Sequence, residues 1–196
     1  MSLRDRKRAR TRQALIDAAV ELFDQRGYDG TTVADIAAAA EIGTRTFFSY
    51  FASKEELLFP DADARVQAVA EAIAARSPQD GPADVLLRAL GAVSDGTDLV
   101  SPLGARRLEL IRTVPAVRGR ALQIQMDAQQ VIARQLAEAF PEQLDPVAAA
   151  ALTGAFVGAV TGALQVLLAE PVTDPKALGA ALRAATDLAL APWRAQ

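Results

Sequence analysis

Apolar residues along the first 60 positions recur every three or four residues, which is the period of an amphipathic helix. The first stripe contains Leu15, Leu22 and Phe23, and Gly27 is expected to end the helix that carries it. Thr32 is a typical N-cap for a short second helix over residues 33–40. A turn at residues 41–43 separates it from a third helix over residues 44–51. No segment alternates as a half-buried strand does, so the pattern predicts an all-α fold.

Capping and breaking residues place the remaining helices. Ser53 and Glu56 have the spacing of a capping box, which predicts a fourth helix that starts at Ser53. Beyond residue 60, prolines and glycines delimit about five more helices. These lie near residues 61–76, 82–94, 102–139 (broken at Val114-Pro115), 146–169 and 174–192. We predict two domains, a small three-helix unit at residues 1–58 and a larger helical domain at residues 59–196.

The composition narrows the possible chemistry. The chain of 196 residues has no cysteine and no histidine. It therefore offers no disulfide, no thiol nucleophile, no imidazole metal ligand and no Ser-His-Asp triad. No glycine-rich phosphate loop is present either. We expect no metal and no cofactor, and the sequence favours a binding protein over an enzyme.

Charge is distributed unevenly along the chain. Residues 1–54 carry nine basic and seven acidic groups, whereas residues 55–196 carry 12 and 17, which together give the net charge of -3. The basic excess is concentrated in an N-terminal arm, whose cations are Arg4, Arg6, Lys7, Arg8, Arg10 and Arg12. Such an arm attracts phosphate groups by releasing their counterions, or it is simply a frayed and solvated terminus.

One stretch imitates a membrane span, because residues 148–169 contain no charged side chain. Gly154, Gly158 and Gly162 recur within it at a spacing of four, as in membrane helix dimers. The flanking residues, however, are Asp145 and Glu170 rather than a basic cluster or an aromatic belt. We interpret the stretch as an apolar helix of a soluble bundle. The N-terminus has no apolar signal region, so we expect a cytoplasmic protein without a membrane partner.

A specific series of residues identifies the N-terminal unit. The series contains Leu22-Phe23, Arg26-Gly27-Tyr28, Thr31-Thr32-Val33, Ile36-Ala37, Ala40-Glu41-Ile42-Gly43, Thr46-Phe47-Phe48-Ser49-Tyr50-Phe51 and Ser53-Lys54-Glu55-Glu56-Leu57. From about Arg12 to Leu58 it resembles the DNA-binding domain of the tetracycline-repressor (TetR) family of bacterial transcriptional regulators. The resemblance implies a helix-turn-helix whose third helix lies in the DNA major groove. Val33, Ile36, Ala37, Ile42, Phe47 and Phe51 are then expected to pack in the core against the first helix.

The resemblance and the residue types together suggest the DNA contacts. The candidates are Thr32, Thr44, Arg45, Thr46, Phe48, Ser49, Tyr50 and Lys54. Arg45 is the one side chain of the third helix that can grip a guanine edge with two hydrogen bonds, although it could also contact phosphate or remain solvated. Lys54 matches a family position that contacts phosphate. The family commonly has Ser in place of Gly43 and Tyr in place of Phe48, so contacts at these two positions must differ; Phe48 would touch a thymine methyl group.

The same resemblance implies a C-terminal domain that binds an inducer. The segment of residues 106–118 is similar to a subgroup that includes regulators of the mycofactocin system, some of which respond to acyl-coenzyme A compounds. Candidate pocket residues are Leu103, Arg107, Leu108, Ile111, Arg112, Leu122, Met126 and Phe156. Each apolar member could equally be ordinary core. The arginines could meet a ligand carboxylate or phosphate, or pair with Glu109 and solvent.

The family also implies a homodimer formed by an intermolecular four-helix bundle. The predicted interface consists of the glycine stripe of residues 154, 158 and 162 together with a second face on the last helix. That second face contains Leu178, Leu182 and Ala185. Alternatively, the glycine stripe packs against another helix of the same chain.

The sequence therefore predicts a ligand-responsive transcriptional regulator, most simply a repressor. It would bind an inverted-repeat operator in double-stranded DNA as a homodimer and be released by a small apolar or acyl-bearing effector. The alternatives are a non-catalytic helical scaffold and an acyl-thioester-binding enzyme. A scaffold would not need the basic arm, the polar third helix and Lys54 together.

Overall fold

The computed structural model describes residues 2–93, 101–167 and 174–194. Its described residues contain helices and no strand, which confirms the all-α prediction. The helices are α1 (Leu3–Arg26), α2 (Val33–Ala39), α3 (Thr44–Phe47), α4 (Ala62–Ala74), α5 (Pro82–Val93), α6 (Pro102–Thr113), α7 (Pro115–Ala139), α8 (Pro146–Leu167) and α9 (Pro175–Arg194), with a short 3₁₀ helix at Glu55–Leu58. The predicted break at Val114-Pro115 is confirmed by the ends of α6 and α7. Residue 94 and residues 168–169 of two predicted helices lie outside the described residues.

Helix α1 is longer than its apolar stripe, because capping residues extend it through the basic arm. Ser2 caps it by accepting a hydrogen bond from the Asp5 N–H, and the Asp5 carboxylate accepts one from the Ser2 N–H in return. At the other end Gly27 has φ 73° and ψ 166°, a conformation that is essentially restricted to glycine. The arm is therefore two helical turns rather than an irregular tail.

The chain divides into two compact units. The first contains residues 1–60 and 102–121, and the second contains residues 61–101 and 122–196. This division differs from the predicted boundary between residues 58 and 59, because α6 and the start of α7 return to the first unit. The reason is packing: Leu110 and Val117 are buried in the same apolar cluster as Leu15 and Phe23.

The core of the first unit follows the predicted pattern. Ile36, Ala37, Phe47 and Phe51 are buried against the stripe of α1, and Val33 and Ile42 are partly buried beside them. The 3₁₀ helix contributes Leu57 and Leu58 to the same cluster. The sequence predicted a fourth α-helix here with Ser53 as its cap. That prediction is wrong, because the element is a single 3₁₀ turn without a side-chain cap.

The second unit is a bundle of α4, α5, the later part of α7, α8 and α9. Its core includes Leu86 of α5, Leu136 of α7, Leu152 of α8 and Leu190 of α9, all completely buried. Trp193 packs against this cluster and is partly buried. Among the described helices, α8 is the one that is long and apolar enough to cross a membrane by length and composition. Most of its residues are not buried by the rest of the chain.

Candidate nucleic-acid interface

Helices α2 and α3 are joined by a tight turn at residues 40–43. Glu41 lies in this turn with φ 56°, the left-handed conformation that non-glycine residues adopt at a cost. The turn closes when the Ile42 N–H donates to the Ala37 carbonyl at 2.9 Å. Gly43 then caps α3 with backbone alone. The two helices are therefore held as a helix-turn-helix.

Helix α3 has an apolar inner side and a polar outer side. Phe47 is fully buried, whereas Thr44, Arg45 and Thr46 are exposed. Phe48 is 55% exposed and meets the Phe47 ring edge-on, with centroids 5.4 Å apart. Arg45 has no hydrogen-bond or ion-pair partner among the described residues. This short helix and the Phe48 that follows it therefore present one cation, two hydroxyls and an aromatic ring to solvent.

Two residues that follow α3, Ser49 and Tyr50, already have partners within the protein. The Ser49 hydroxyl donates to the Thr46 carbonyl at 2.6 Å, so its proton is already engaged. Tyr50 is half-buried because the Arg8 guanidinium lies over its ring, 5.0 Å from the centroid. Arg8 also donates to the Ser49 carbonyl at 3.2 Å. Of the residues predicted to contact DNA, Ser49 and Tyr50 are thus held by the protein itself.

A second arginine fastens α1 to the same region. The Arg12 guanidinium lies 4.8 Å from the centre of the Phe51 ring and donates to the Pro60 carbonyl at 2.9 Å. The remaining cations of the arm are exposed on helix α1. They are Arg4, Arg6, Lys7 and Arg10. The composition identified this basic arm but not its helical form. The missed signal is the capping box of Ser2 and Asp5, which have the required spacing of three residues.

Thr32 performs the predicted capping role. Its hydroxyl oxygen accepts from the Asp35 N–H at 3.2 Å, and the Asp35 carboxylate accepts from the Thr32 N–H at 2.9 Å. The Thr32 hydroxyl also donates to that carboxylate at 2.6 Å. These hydrogen bonds hold the pKa of Asp35 below its ordinary value. Thr32 itself is exposed beside the helix-turn-helix.

Lys54 lies in a polar network with the turn that precedes α2. Its ammonium donates to the carbonyls of Tyr28 and Thr31 at 2.9 and 3.1 Å. The ammonium is also 4.0 Å from the centre of the Tyr28 ring. The Tyr28 hydroxyl donates to Glu55, and burial followed by this bond raises the pKa of Tyr28. Burial acts to raise the pKa of Glu55, but hydrogen bonds from Ser53 and Tyr28 outweigh it and lower that pKa.

Arginines from α6 and α7 contact the 3₁₀ helix. Arg120 donates to one carboxylate oxygen of Glu56 at 2.7 Å, while the other oxygen accepts from the Ala52 N–H at 2.8 Å. Arg107 is only 3% exposed and donates to the Leu58 carbonyl at 3.3 Å. Arg107 is therefore part of the first unit's interior, and its role in an effector pocket stays a prediction.

The other predicted pocket residues lie in different surroundings. Leu103 and Ile111 are partly buried and pack against the core of the first unit. Leu108 is half-buried and Arg112 is exposed, both on α6. Leu122 and Met126 are exposed on α7, and Phe156 is buried in the core of the second unit. The arginine-rich segment of residues 106–118 thus belongs to the DNA-binding unit.

The predicted dimer residues also separate into two groups. An added Cβ at Gly154, Gly158 or Gly162 would meet nothing within 4 Å, so this stripe does not pack against the described part of its own chain. Leu178 and Leu182 are buried within the protomer, which removes them from the predicted interface. Ala185 is half-buried.

These features define a helix-turn-helix DNA-binding module attached to a helical second unit. A family model described as bacterial regulatory proteins of the tetR family matches residues 15–59, and a model described as the MftR C-terminal domain matches residues 101–194. The mycofactocin biosynthesis transcriptional regulator MftR of Mycobacterium tuberculosis is 30% identical over 135 residues, 67% of each chain. The chain belongs to the TetR family of transcriptional regulators.

One further relative is similar in sequence, and two solved structures are similar in fold. The regulator TcmR of Streptomyces glaucescens is 40% identical over 121 residues, which are 60% of this chain and 53% of TcmR, so the match spans about half of that relative. Thermus thermophilus FadR, solved in complex with lauroyl-CoA, has a similar fold with a TM-score of 0.55 at 23% identity, covering 91% of this chain and 93% of FadR. A regulator from Syntrophomonas wolfei has a TM-score of 0.64 at 16% identity, covering 93% and 96%.

Proposed function

We propose that the protein is a homodimeric repressor that binds an inverted-repeat operator and is released by a small apolar or acyl-bearing effector. The observation that carries the proposal is the polarity of α3. Its inner side is anchored by Phe47, while Thr44, Arg45 and Thr46 are exposed together on a helix-turn-helix. A major groove accommodates a helix with such an outer side.

Arg45 is the residue that we assign to base recognition. It is exposed and has no ion-pair partner in the described chain, so its guanidinium is available to bond the O6 and N7 atoms of guanine. Phe48 offers an apolar surface for a thymine methyl group next to it. Thr44 and Thr46 would bond bases or phosphates. Ser49 and Tyr50 would support this surface more than contact DNA, because Arg8 and Thr46 already engage them.

The helical arm supplies binding that does not depend on sequence. Its exposed cations lie on α1, and Arg8 and Arg12 fasten α1 beside the residues that follow α3. Each phosphate that the arm neutralises should add about 0.9 to the salt slope of binding. Strong salt dependence is therefore expected of the proposed complex.

A second copy of the chain is the proposed partner of α8. The glycine stripe has open space above it, and Val166 of α8 and Leu188 of α9 are 75% and 80% exposed. Apolar surface of this kind is normally covered in a soluble protein. A dimer would place two copies of α3 about 34 Å apart, one turn of DNA, which is why we expect an inverted repeat. If α8 instead spans a membrane, the purified protein should partition into lipid vesicles.

The effector is proposed to bind the second unit. Support comes from the match to the MftR C-terminal domain and from the similarity of fold to FadR, which was solved with lauroyl-CoA. Leu122 and Met126 are exposed apolar side chains of α7 that an acyl chain could cover. Lauroyl-CoA is therefore the first compound to titrate into the protein–DNA complex. Release by a polar metabolite instead would contradict the acyl proposal but leave the regulator intact.

In vitro selection of bound DNA from a random pool tests the proposal directly. We expect enrichment of an inverted repeat whose half-sites are centred about 10 base pairs apart, with an affinity that falls steeply as salt increases. A helical scaffold would enrich no sequence and would show no salt-dependent shift of a DNA probe. An acyl-thioester enzyme would turn over acyl-CoA substrates in a release assay.

A further inference from the structure

Helix α3 is too short to hold its own orientation. It consists of the four residues Thr44–Phe47, and its N-terminal end is capped at Gly43 by backbone alone. A single turn of helix is unstable in water, because its few hydrogen bonds do not outweigh the ordering of its backbone. Phe47 is the buried side chain that anchors its inner side. Contacts at the ends of α3 are therefore needed to fix the direction in which Arg45 points.

Arg8 of helix α1 makes such a contact at the C-terminal end of α3. Its guanidinium donates to the Ser49 carbonyl at 3.2 Å and lies 5.0 Å from the centre of the Tyr50 ring. Carbonyls at the C-terminal end of a helix have no partner within the helix, and a nearby cation can satisfy them. Because Ser49 and Tyr50 follow α3 almost directly, a contact that holds them also holds the end of α3.

A second contact of the same kind lies one turn further along α1. Arg12 follows Arg8 by four residues, so both side chains project from the same face of the helix. The Arg12 guanidinium lies 4.8 Å from the centre of the Phe51 ring and donates to the Pro60 carbonyl at 2.9 Å. Two successive rings, those of Tyr50 and Phe51, are thus each covered by an arginine from one row of α1. The repetition indicates a defined packing of α1 on the segment that follows α3.

We propose that Arg8 is a positioning residue that determines sequence preference, because it holds the end of α3 against α1 while Arg45 reads the bases. The proposal rests on the proposed DNA binding. The Arg8 guanidinium has five N–H donors and the Ser49 carbonyl accepts from one of them, so Arg8 can contact phosphate as well. A phosphate contact strengthens binding to every sequence alike, whereas a correctly oriented α3 strengthens binding to the operator. The two effects can therefore be separated at one residue.

The variant Arg8→Lys retains the charge but loses the flat guanidinium that covers the Tyr50 ring while it bonds Ser49. Arg10→Lys is the matched control, because it makes the same replacement at an exposed residue of the arm. Tyr50→Leu and the double variant Arg8→Lys/Tyr50→Leu complete a mutant cycle. Two fluorescein-labelled duplexes of about 30 base pairs are titrated, one from the in vitro selection and one with its bases scrambled. Hydrogen exchange of the amides of residues 48–51 is measured on the same proteins without DNA.

The positioning role predicts that Arg8→Lys lowers the ratio of operator affinity to scrambled-duplex affinity about fivefold, while Arg10→Lys changes this ratio less than about twofold. Tyr50→Leu should lower the same ratio. The double variant should lose little more than the single variants, because both substitutions remove one shared contact. Without DNA, Arg8→Lys should speed amide exchange in residues 48–51 about threefold or more, and Arg10→Lys should leave it unchanged.

Three results would overturn the proposal. Equal weakening on both duplexes would make Arg8 a phosphate contact alone. An unchanged affinity ratio with a lower melting temperature would make it a structural contact alone. Additive losses in the double variant would show that Arg8 does not act through Tyr50. If the wild-type protein prefers no sequence, the proposed function is refuted instead, and the exchange of residues 48–51 then decides whether Arg8 holds the end of α3.

Discussion

Gly158 of α8 offers a sharp test of the dimer, because the structure makes opposite predictions for the protomer and for the interface. An added side chain meets nothing within 4 Å in its own chain. In a solvated helix, Gly158→Leu should therefore stabilise the protomer by about 0.5–1 kcal/mol through helix propensity alone. At a close contact between two copies of α8, the same side chain overpacks the interface and costs about 1–3 kcal/mol. That cost weakens dimerisation about 5–150-fold.

Sedimentation equilibrium from nanomolar to micromolar protein measures this change. Gly119→Leu is the matched control, because Gly119 is an exposed helical glycine of α7 whose added Cβ also meets nothing. We expect Gly158→Leu to shift the dimer toward folded monomer and to abolish operator binding, while Gly119→Leu leaves both unchanged. If Gly158→Leu dimerises like the wild type and melts at a higher temperature, as the control should, then α8 is not the interface.

Three further predictions concern the first unit. Arg45→Ala should cost about 1–3 kcal/mol of operator affinity and relax the preference at one base pair of each half-site; equal weakening on every sequence would make Arg45 a phosphate contact. Gly27→Ala should lower the free energy of unfolding by about 1–3 kcal/mol in urea titrations, because its φ of 73° and ψ of 166° suit glycine alone. Gly43→Ala, at φ -76°, should cost less, about 0.5 kcal/mol, because alanine is only a poorer N-cap there. Hydrogen bonds from Thr32 lower the pKa of the Asp35 carboxyl group, so the folded state binds this proton less readily than the unfolded state. The hydrogen bonds therefore stabilise the folded state above about pH 4, and their contribution is lost as the pH falls through the folded pKa. Urea titrations between pH 6 and 3 should therefore show a shallower acid loss for Asp35→Asn, and an identical loss would refute the role of the Thr32 cap.

The regular part of the fold was predictable because it depends on local signals. The period of the apolar residues located α1 and α2, and the proline after Val114 separated α6 from α7. The 3₁₀ helix was missed because Ser53 and Glu56 have the spacing of a capping box, yet Glu56 bonds Ala52 and Arg120 instead. Competition from a distant arginine is not visible in a local pattern.

The sequence predicted which residues form the candidate site better than it predicted which of them are free to contact DNA. Exposure of Arg45 and burial of Phe47 follow from the helical period. The long-range contacts that engage Ser49, Tyr50 and Lys54 come from residues 23 to 42 positions away, such as Arg8 and Tyr28. The same limitation applies to Arg107, because its burial beside Leu58 depends on the return of α6 to the first unit.

That return of α6 matters to anyone who wishes to build a biosensor by exchanging sensing domains between relatives. A fusion made at residue 60 would separate residues 1–60 of the first unit from residues 102–121. The second segment places Leu110 and Val117 in the core of that unit and Arg120 beside Glu56. Such a chimera would have to recreate those contacts with foreign residues. During synthesis, the core of the first unit is incomplete until about 60 residues beyond residue 60 have been made. The first unit therefore completes its folding after part of the second unit has been synthesised. A transplantable first unit is therefore discontinuous in sequence, and grafts should carry both segments together.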